Sequence, residues 1–166
     1  MTLKKNKTFK ESNFVVVLNN IRSTYNVGAI FRTADALKVN KIYLCGITPT
    51  PSKNPKIIKT ALGAEKSVLW EKTNQCWRLL KQLQKEGYYL IALEQDLKSK
   101  NILSLNKLNQ KKIALILGSE VKGLSKEILK YADLILEIPM WGKKESLNVA
   151  VAFGIAGYEI KRLLLS

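Results

Sequence analysis

Histidine is absent from this sequence of 166 residues. The chain therefore cannot form a Ser-His-Asp or Cys-His catalytic group, or a zinc site that uses histidine. The only two cysteines, Cys45 and Cys76, lie in apolar stretches, and we expect them to be small core residues in a reducing compartment. We predict no metal site. Any catalysis must then use Arg, Lys, Glu, Asp, Ser, Tyr, main-chain groups or a cofactor.

Long apolar segments are also missing. No run approaches the roughly 20 residues of a membrane-spanning helix, and residues 1–5 lack the apolar stretch and cleavage site of a signal peptide. We therefore expect a cytoplasmic protein without a membrane partner. The length fits one domain with a sizeable core. We predict a flexible basic N-terminus at residues 1–12 and a single folded domain at residues 13–166.

Acidic residues are few in comparison with basic ones. The sequence contains 13 Asp and Glu and 28 Lys and Arg, which gives a formal net charge of +15. Such an excess favours a nucleic-acid partner, whose binding should weaken steeply with salt. The alternative is a set of lysines that only keep the protein in solution. The lysines in predicted loops and termini are Lys4, Lys5, Lys7, Lys10, Lys53, Lys56, Lys59, Lys143 and Lys144.

Short apolar runs alternate with segments of helical periodicity. This alternation predicts an α/β fold with a mainly parallel sheet flanked by helices. The predicted strands are 14–18, 41–45, 67–70, 88–93, 113–117 and 134–138. The predicted helices are 26–37, 74–86, 125–131 and 146–165, and the proline-rich stretch 46–59 is predicted to be a loop. The first half of the last helix is apolar on nearly every face, so it needs cover from the sheet and from a second subunit.

The first of three segments that can carry chemistry follows the first strand and reads NIRSTYNVGAIFRTADA. Asn26 is a plausible helix cap. Arg32 has apolar neighbours in sequence, which predicts partial burial and therefore an anionic partner. That partner is either a ligand or an internal ion pair with Asp35 or Glu120.

The other two segments also follow predicted strands, at the edge of the sheet where ligands bind in such folds. The sequence LGSEVKGLS is neither a phosphate-binding P-loop nor a GxGxxG dinucleotide motif, and its Glu120 is the candidate functional group. The sequence IPMWGKKESLNVAVAFG places Asn148 among apolar residues, where it must be hydrogen-bonded. The alternative for LGSEVKGLS is an ordinary strand–helix turn. The alternative for the segment that contains Asn148 is a helix cap with one satisfied core amide.

Together, in this order, the three segments resemble the SpoU (TrmH-type) RNA 2′-O-ribose methyltransferases of the SPOUT superfamily. The resemblance covers roughly residues 14–164 and includes ALGAEKSVLW at 61–70. It implies a C-terminal trefoil knot, an exception to the rule that chains do not thread loops. It also implies a homodimer whose active site is completed across the interface.

The resemblance further implies the cofactor S-adenosylmethionine, held in the knotted loops. Gly118, Ile138 and Leu147 match the cofactor-contact positions of the family, and Leu93, Met140 and Asn148 are expected in the same pocket. The implied reaction is attack of a ribose 2′-hydroxyl on the methyl group of the cofactor.

The implied catalytic residues are Arg32, Asn26, Glu120, Ser146 and Asn148. The resemblance implies that Arg32 activates the 2′-hydroxyl. Because a guanidinium is effectively always protonated and is therefore a poor base, we interpret Arg32 equally as an electrostatic clamp on a phosphate or developing alkoxide. The predicted RNA contacts are Arg22, Arg32, Lys122, Lys143 and Lys144.

The sequence departs from the family pattern in two respects. Val121 stands where glycine is usual, which is unfavourable if the position needs a positive φ. The expected absence of an appended RNA-binding domain favours a small structured substrate, tRNA rather than rRNA. Two other classes remain as alternatives: an RNA-binding protein without catalysis, and a nucleotide-dependent oxidoreductase.

Overall fold

The computed structural model describes residues 12–166. It contains seven parallel strands in one sheet, in the order β3-β2-β1-β6-β4-β7-β5. The mainly parallel sheet with flanking helices that the sequence predicts is therefore confirmed. The strands are β1 Asn13–Asn19, β2 Lys41–Cys45, β3 Leu69–Thr73, β4 Tyr89–Leu93, β5 Lys100–Asn101, β6 Lys112–Leu117 and β7 Leu134–Glu137.

Six α-helices accompany the described strands. They are α1 Thr24–Ala36, α2 Pro55–Ala61, α3 Ala64–Ser67, α4 Cys76–Lys85, α5 Lys126–Leu129 and α6 Val149–Leu165. Two short 3₁₀ turns lie at Pro51–Lys53 and Ile102–Ser104. None of the helices in residues 12–166 has the length and apolar character needed to cross a membrane.

The sheet has an apolar cluster on each face, which explains why its central strands are apolar at most positions. Phe14, Val16 and Leu18 of β1 pack on the side covered by α1, α2 and α6. Val15 and Val17 pack on the side covered by α4 and α5. Both cysteines are buried and free, as predicted.

The structure differs from the sequence prediction between residues 46 and 70. The stretch 46–59 is not entirely a loop, because α2 begins at Pro55, where proline is compatible with the first helical turn. The predicted strand at 67–70 is shifted, since Ser67 ends α3 and β3 begins at Leu69.

The two long helices start at positions other than those predicted. Ser23, rather than Asn26, caps α1, and its Oγ accepts a hydrogen bond from the Asn26 main-chain N–H at 3.2 Å. α6 begins at Val149, three residues after the predicted start. Its cap is Asn148, whose Oδ1 accepts from the N–H groups of Ala150 and Val151.

Candidate active site

A cavity of about 300 Å³ opens at the carboxyl edge of the sheet, beyond the ends of β4, β6 and β7. Ligands bind at this edge in open α/β sheets. Three stretches of chain form the wall: the end of β4 and its loop, the turn after β6, and the segment from β7 to α6. The lining residues are Leu93, Glu94, Gln95, Leu117, Gly118, Ser119, Glu120, Val121, Lys122, Gly123, Glu137, Ile138, Met140, Ser146, Leu147, Val149 and Ala152.

Five of the six predicted cofactor residues lie on this wall: Leu93, Gly118, Ile138, Met140 and Leu147. The sixth, Asn148, does not line the cavity but adjoins it. Two predicted catalytic residues, Glu120 and Ser146, and the predicted RNA contact Lys122 are also on the wall.

Hydrogen bonds join the three segments at the rim of the cavity. The Asn26 side chain donates to Glu120 Oε1 at 3.1 Å, and its Oδ1 accepts from Asn148 Nδ2 at 3.0 Å. Because Asn148 also caps α6, one amide fixes the start of that helix relative to α1. Asn148 is exposed in the single chain rather than buried, and its side chain makes hydrogen bonds through both Nδ2 and Oδ1.

Glu120 binds the main chain directly before α1. Its carboxylate accepts hydrogen bonds from the main-chain N–H groups of Arg22 and Ser23, each at 3.1 Å, besides the one from Asn26. Partial burial acts to raise the pKa of Glu120, but these hydrogen bonds outweigh burial and hold that pKa below its ordinary value. Glu120 is therefore an ionised positioning group and a weak proton acceptor.

Arg32 is separated from this network within the single chain. It lies six residues beyond Asn26, about 9 Å along the axis of α1, and it does not line the cavity. It is exposed, so the partial burial predicted from its neighbours is wrong for one chain. The internal ion pair with Asp35 or Glu120 is absent among residues 12–166, where the ion pairs are Lys41–Glu71 and Glu159–Arg162.

The other predicted RNA contacts belong to chain segments that form the cavity wall or are hydrogen-bonded to it. Arg22, Lys122, Lys143 and Lys144 are all exposed. Lysines 4, 5, 7 and 10 of the predicted basic N-terminus lie outside the described residues.

The turn after β6 explains the tolerance for Val121. The positive φ in this turn belongs to Gly123, at +63°, and Val121 is not in the left-handed region. Gly123 N–H donates to the Ser119 carbonyl at 2.9 Å and closes the turn. A Cβ on Gly118 would lie 2.4 to 2.7 Å from main-chain atoms of Gly123 and Leu124, so glycine is required at that position.

Three polar residues of the wall lie outside the segments that the sequence analysis singled out: Glu94, Gln95 and Glu137. Glu94 Oε2 accepts from the Leu124 N–H at 2.8 Å, and Gln95 Nε2 donates to the Glu145 carbonyl at 2.6 Å. Glu137 accepts from Ser99 Oγ at 2.6 Å. A signal was present, because Glu94 and Gln95 directly follow an apolar strand in the sequence LIALEQ.

The chemistry of the wall fits S-adenosylmethionine, which carries a sulfonium, an ammonium, a carboxylate and an adenine ring. Three carboxylates and one lysine line the cavity, and this balance favours a cation in an otherwise basic protein. Leu93, Ile138 and Leu147 provide apolar contact for a flat ring. The main-chain groups of residues 139–144 make no hydrogen bond within residues 12–166, which leaves them available to a ligand.

Comparison with known proteins gives the family. Residues 13–158 match the model of the SpoU rRNA methylase family. A Borreliella burgdorferi protein named as an uncharacterized tRNA/rRNA methyltransferase is 35% identical over 93% of this chain and 66% of its own length. The tRNA (guanosine(18)-2′-O)-methyltransferase of Aquifex aeolicus is 31% identical over 92% of this chain and 71% of its own length.

A solved structure agrees with these matches. The rRNA methyltransferase of Sinorhizobium meliloti, crystallised with bound AdoMet, superposes with a TM-score of 0.84 at 28% identity. The match covers 95% of this chain and 59% of that protein, so this chain spans about 60 to 70% of the length of these three proteins. The family model accounts for most of the described fold, and the chain belongs to the SpoU rRNA methylase family.

Proposed function

We propose that this protein is an S-adenosylmethionine-dependent RNA 2′-O-ribose methyltransferase that acts on tRNA in the cytoplasm. The observation that carries the proposal is that two of the three sequence segments line one cavity, and that the first segment is joined to both of them through the hydrogen bonds of Asn26 with Glu120 and Asn148. A named relative acts on tRNA guanosine and a structural neighbour on rRNA. The compact domain and its basic surface favour the smaller, structured RNA.

Gly118, Ile138, Met140 and Leu147 would hold the cofactor, with Leu93 at the end of β4. When bound, S-adenosylmethionine supplies a methyl group on a positively charged sulfur, for acceptance by a ribose 2′-hydroxyl. Ser146 lies on the cavity wall, where its hydroxyl can contact either ligand. Positioning of the two reacting groups supplies much of the rate enhancement in such a site.

The roles of Arg32 and Glu120 are electrostatic and positional. The guanidinium of Arg32 cannot act as a base, but it can stabilise a nearby phosphate or the alkoxide that develops on the ribose. Glu120 is engaged by three N–H donors. It maintains the junction between β1 and α1, and through Asn26 the orientation of Asn148.

A homodimer would bring Arg32 to a cavity. Val151, Ile155 and Tyr158 form a stripe on α6 and are 52%, 39% and 58% exposed. The spacing i, i+4, i+7 places them on one face of the helix, and an apolar face of this kind requires a partner. We infer that a second copy covers the stripe and that the partner subunit's Arg32 completes the site.

The path of the chain after β7 supports the inferred trefoil knot. β7 lies on the far side of β4 from β1. The chain returns to α1, where Asn148 meets Asn26. On the way Glu145 contacts Gln95 in the loop after β4. This segment crosses the ends of β4 and β6, and on that path it can pass through the loop that connects these two strands.

The test is transfer of labelled methyl from S-adenosylmethionine to total tRNA and, separately, to rRNA. Nuclease digestion and mass analysis of the nucleosides then identify the product. We expect a 2′-O-methylated nucleoside from the tRNA pool. Incorporation into rRNA alone would move the substrate to the other RNA class. Cofactor binding without incorporation into either pool would contradict the proposed activity.

A further inference from the structure

Helix α4 carries a basic and aromatic surface on the side of the sheet opposite α1. It consists of Trp77, Arg78 and Lys81, with Lys130 and Tyr131 from the end of α5. The two helices are joined by a hydrogen bond of 3.1 Å from Gln84 Nε2 to the Tyr131 carbonyl. We propose that this surface, named here the α4 face, binds unpaired nucleotides of the RNA substrate. The proposal rests on the proposed function and extends it to a second RNA contact.

Trp77 is the centre of the α4 face. The side chain is 40% exposed, although Cys76, Leu79, Leu80 and Leu83 of the same helix are buried. The Arg78 guanidinium lies 5.1 Å and Lys81 Nζ 5.2 Å from the centroid of the ring. Cations at this distance are attracted to the face of an indole. The structure therefore holds two positive charges beside an accessible aromatic ring.

The cations of the α4 face are not neutralised by protein carboxylates. α4 contains Arg78, Lys81 and Lys85 and no acidic residue. The ion pairs of residues 12–166 involve Lys41 and Arg162, neither of which belongs to the α4 face. Along the chain the nearest acids are Glu86, which accepts a hydrogen bond from Gln82, Glu127 of α5, and Asp133, which accepts a hydrogen bond from the Leu90 N–H at 2.7 Å.

The same pairing of aromatic ring and cation occurs at Tyr131. Lys130 Nζ lies 5.5 Å from the centroid of that ring. Proteins that bind single-stranded nucleic acid combine aromatic rings, which stack with bases, and cations, which contact phosphates. A double-stranded RNA would offer phosphates but no free base to Trp77. The chemistry of the α4 face therefore favours an unpaired segment.

The location suits RNA that also reaches the cavity. α4 begins three residues after β3 ends, so Trp77 lies near the carboxyl edge of the sheet, where the cavity opens. Leu124, which follows the turn of the cavity wall, packs in the same apolar cluster as Leu79 and Leu80 of α4. RNA bound with a ribose at the cavity can extend over this edge onto the α4 face.

The variants that test the proposal are Trp77→Ala, Trp77→Phe and the double variant Arg78→Glu/Lys81→Glu. The matched control is Lys107→Glu/Lys111→Glu, which makes the same change in charge at exposed lysines before β6. Affinity is measured with fluorescently labelled tRNA and with a labelled single-stranded RNA oligonucleotide. Each variant is also measured for thermal unfolding and for S-adenosylmethionine binding.

We expect Trp77→Ala to weaken the binding of the single-stranded RNA by roughly 5- to 150-fold, the range for loss of one stacked base. Trp77→Phe should restore most of the affinity because it keeps an aromatic face. The acidic double variant should reduce the log–log salt slope by about 1.4 for two lost phosphate contacts. Thermal unfolding and cofactor affinity should remain as in the wild type.

Three results would overturn the proposal. Equal loss of affinity in the control double variant would show that only the overall charge matters. Unchanged RNA affinity in Trp77→Ala would assign the surface to another partner, such as a protein. Parallel loss of folding stability and RNA affinity would show a structural role for the indole. Methyl transfer by the wild type tests the proposed function separately, since a chain that binds RNA through Trp77 without transferring methyl would refute the activity alone.

Discussion

Arg32 is exposed and lies apart from the cavity in one chain, whereas Asn26 and Glu120 are part of the hydrogen-bond network at its rim. If Arg32 stabilises charge on the RNA, its removal should lower the rate of methyl transfer and leave the affinity for the cofactor unchanged. We expect Arg32→Ala to lower methyl transfer at least about 100-fold, the effect of removing one donor to a developing anion. S-adenosylmethionine affinity should stay within a few-fold, as measured by calorimetric titration.

Arg32→Lys serves as the matched variant, because it keeps the charge and loses the planar fork. It should retain more activity than the alanine variant. A loss of cofactor binding in either variant would place Arg32 on the cofactor instead of the RNA.

The lowered pKa of Glu120 predicts that the stability of the fold depends on pH. Its pKa is below the ordinary value of 4.5 in the folded protein, so the carboxylate stabilises the fold above that pH, and the contribution is lost as pH falls through the folded pKa. Glu120→Gln replaces the carboxylate with a neutral amide, which is a weaker acceptor for the main-chain N–H groups of Arg22 and Ser23. We expect it to lower the free energy of unfolding by about 1 kcal/mol at neutral pH.

Thermal unfolding of wild type and Glu120→Gln over a series of pH values measures this contribution. The difference between the two proteins should shrink below pH 4.5. Glu159, whose pKa is also lowered, by its hydrogen bond with Arg162, is present in both proteins and cancels in the comparison. A constant difference at all pH values would show that the charge of Glu120 does not contribute.

At the level of elements, α1 and α2 pack so closely that Gly28 admits no side chain. A Cβ at this position would overlap Thr60 Oγ1 and lie 2.6 Å from the Ile57 carbonyl oxygen. We expect Gly28→Ala to reduce the free energy of unfolding by about 1 to 3 kcal/mol through overpacking, as measured by chemical denaturation.

Thr60→Ala provides a double-mutant cycle for the same contact. It removes the overlapping hydroxyl but leaves the carbonyl of Ile57, so the double variant should recover part of the lost stability. Simple additivity of the two changes would contradict direct contact between α1 and α2 at Gly28.

The sequence predicts the elements that have a clear period and fails where tertiary contacts decide. β1, β2, β6 and α1 lie within two residues of the predicted bounds, because their apolar runs are local signals. α2 escaped prediction because Pro55 in a proline-rich stretch indicates a loop, although it is compatible with a first helical turn. β5 consists of two residues that pair with β7, and two residues carry no period of their own.

For the site, the resemblance over nearly the whole chain brings Asn26, Glu120 and Asn148 together, and these three are hydrogen-bonded in the structure, whereas Arg32 lies apart from them in one chain. The sequence alone places Glu120 and Asn148 in separate loops and cannot measure the distance between them. It also misses Glu94 and Gln95, since their only local signal, a position directly after an apolar strand, is shared by the residues of many ordinary loops. Their function depends on contacts with Leu124 and Glu145, which are distant in sequence.

At the scale of the whole molecule, the exposed stripe of α6 predicts the assembly. Val151, Ile155 and Tyr158 are apolar at helical spacing and are uncovered in one chain. If a second copy covers them, a charge at the centre of the stripe becomes buried without a partner, which strongly opposes association. We expect Ile155→Glu to raise the dissociation constant of the dimer at least about 100-fold.

Sedimentation velocity over a range of concentrations measures the assembly, and methyl transfer is measured alongside it. The monomeric variant should lose transfer because each cavity then lacks the partner subunit's Arg32, while S-adenosylmethionine binding persists. The matched control is Leu69→Glu, the same kind of change at a residue 70% exposed on the edge strand β3. A wild type that is monomeric would require Arg32 to act on the cavity of its own chain, and an Ile155→Glu variant that still dimerises would show that the stripe on α6 is not the interface.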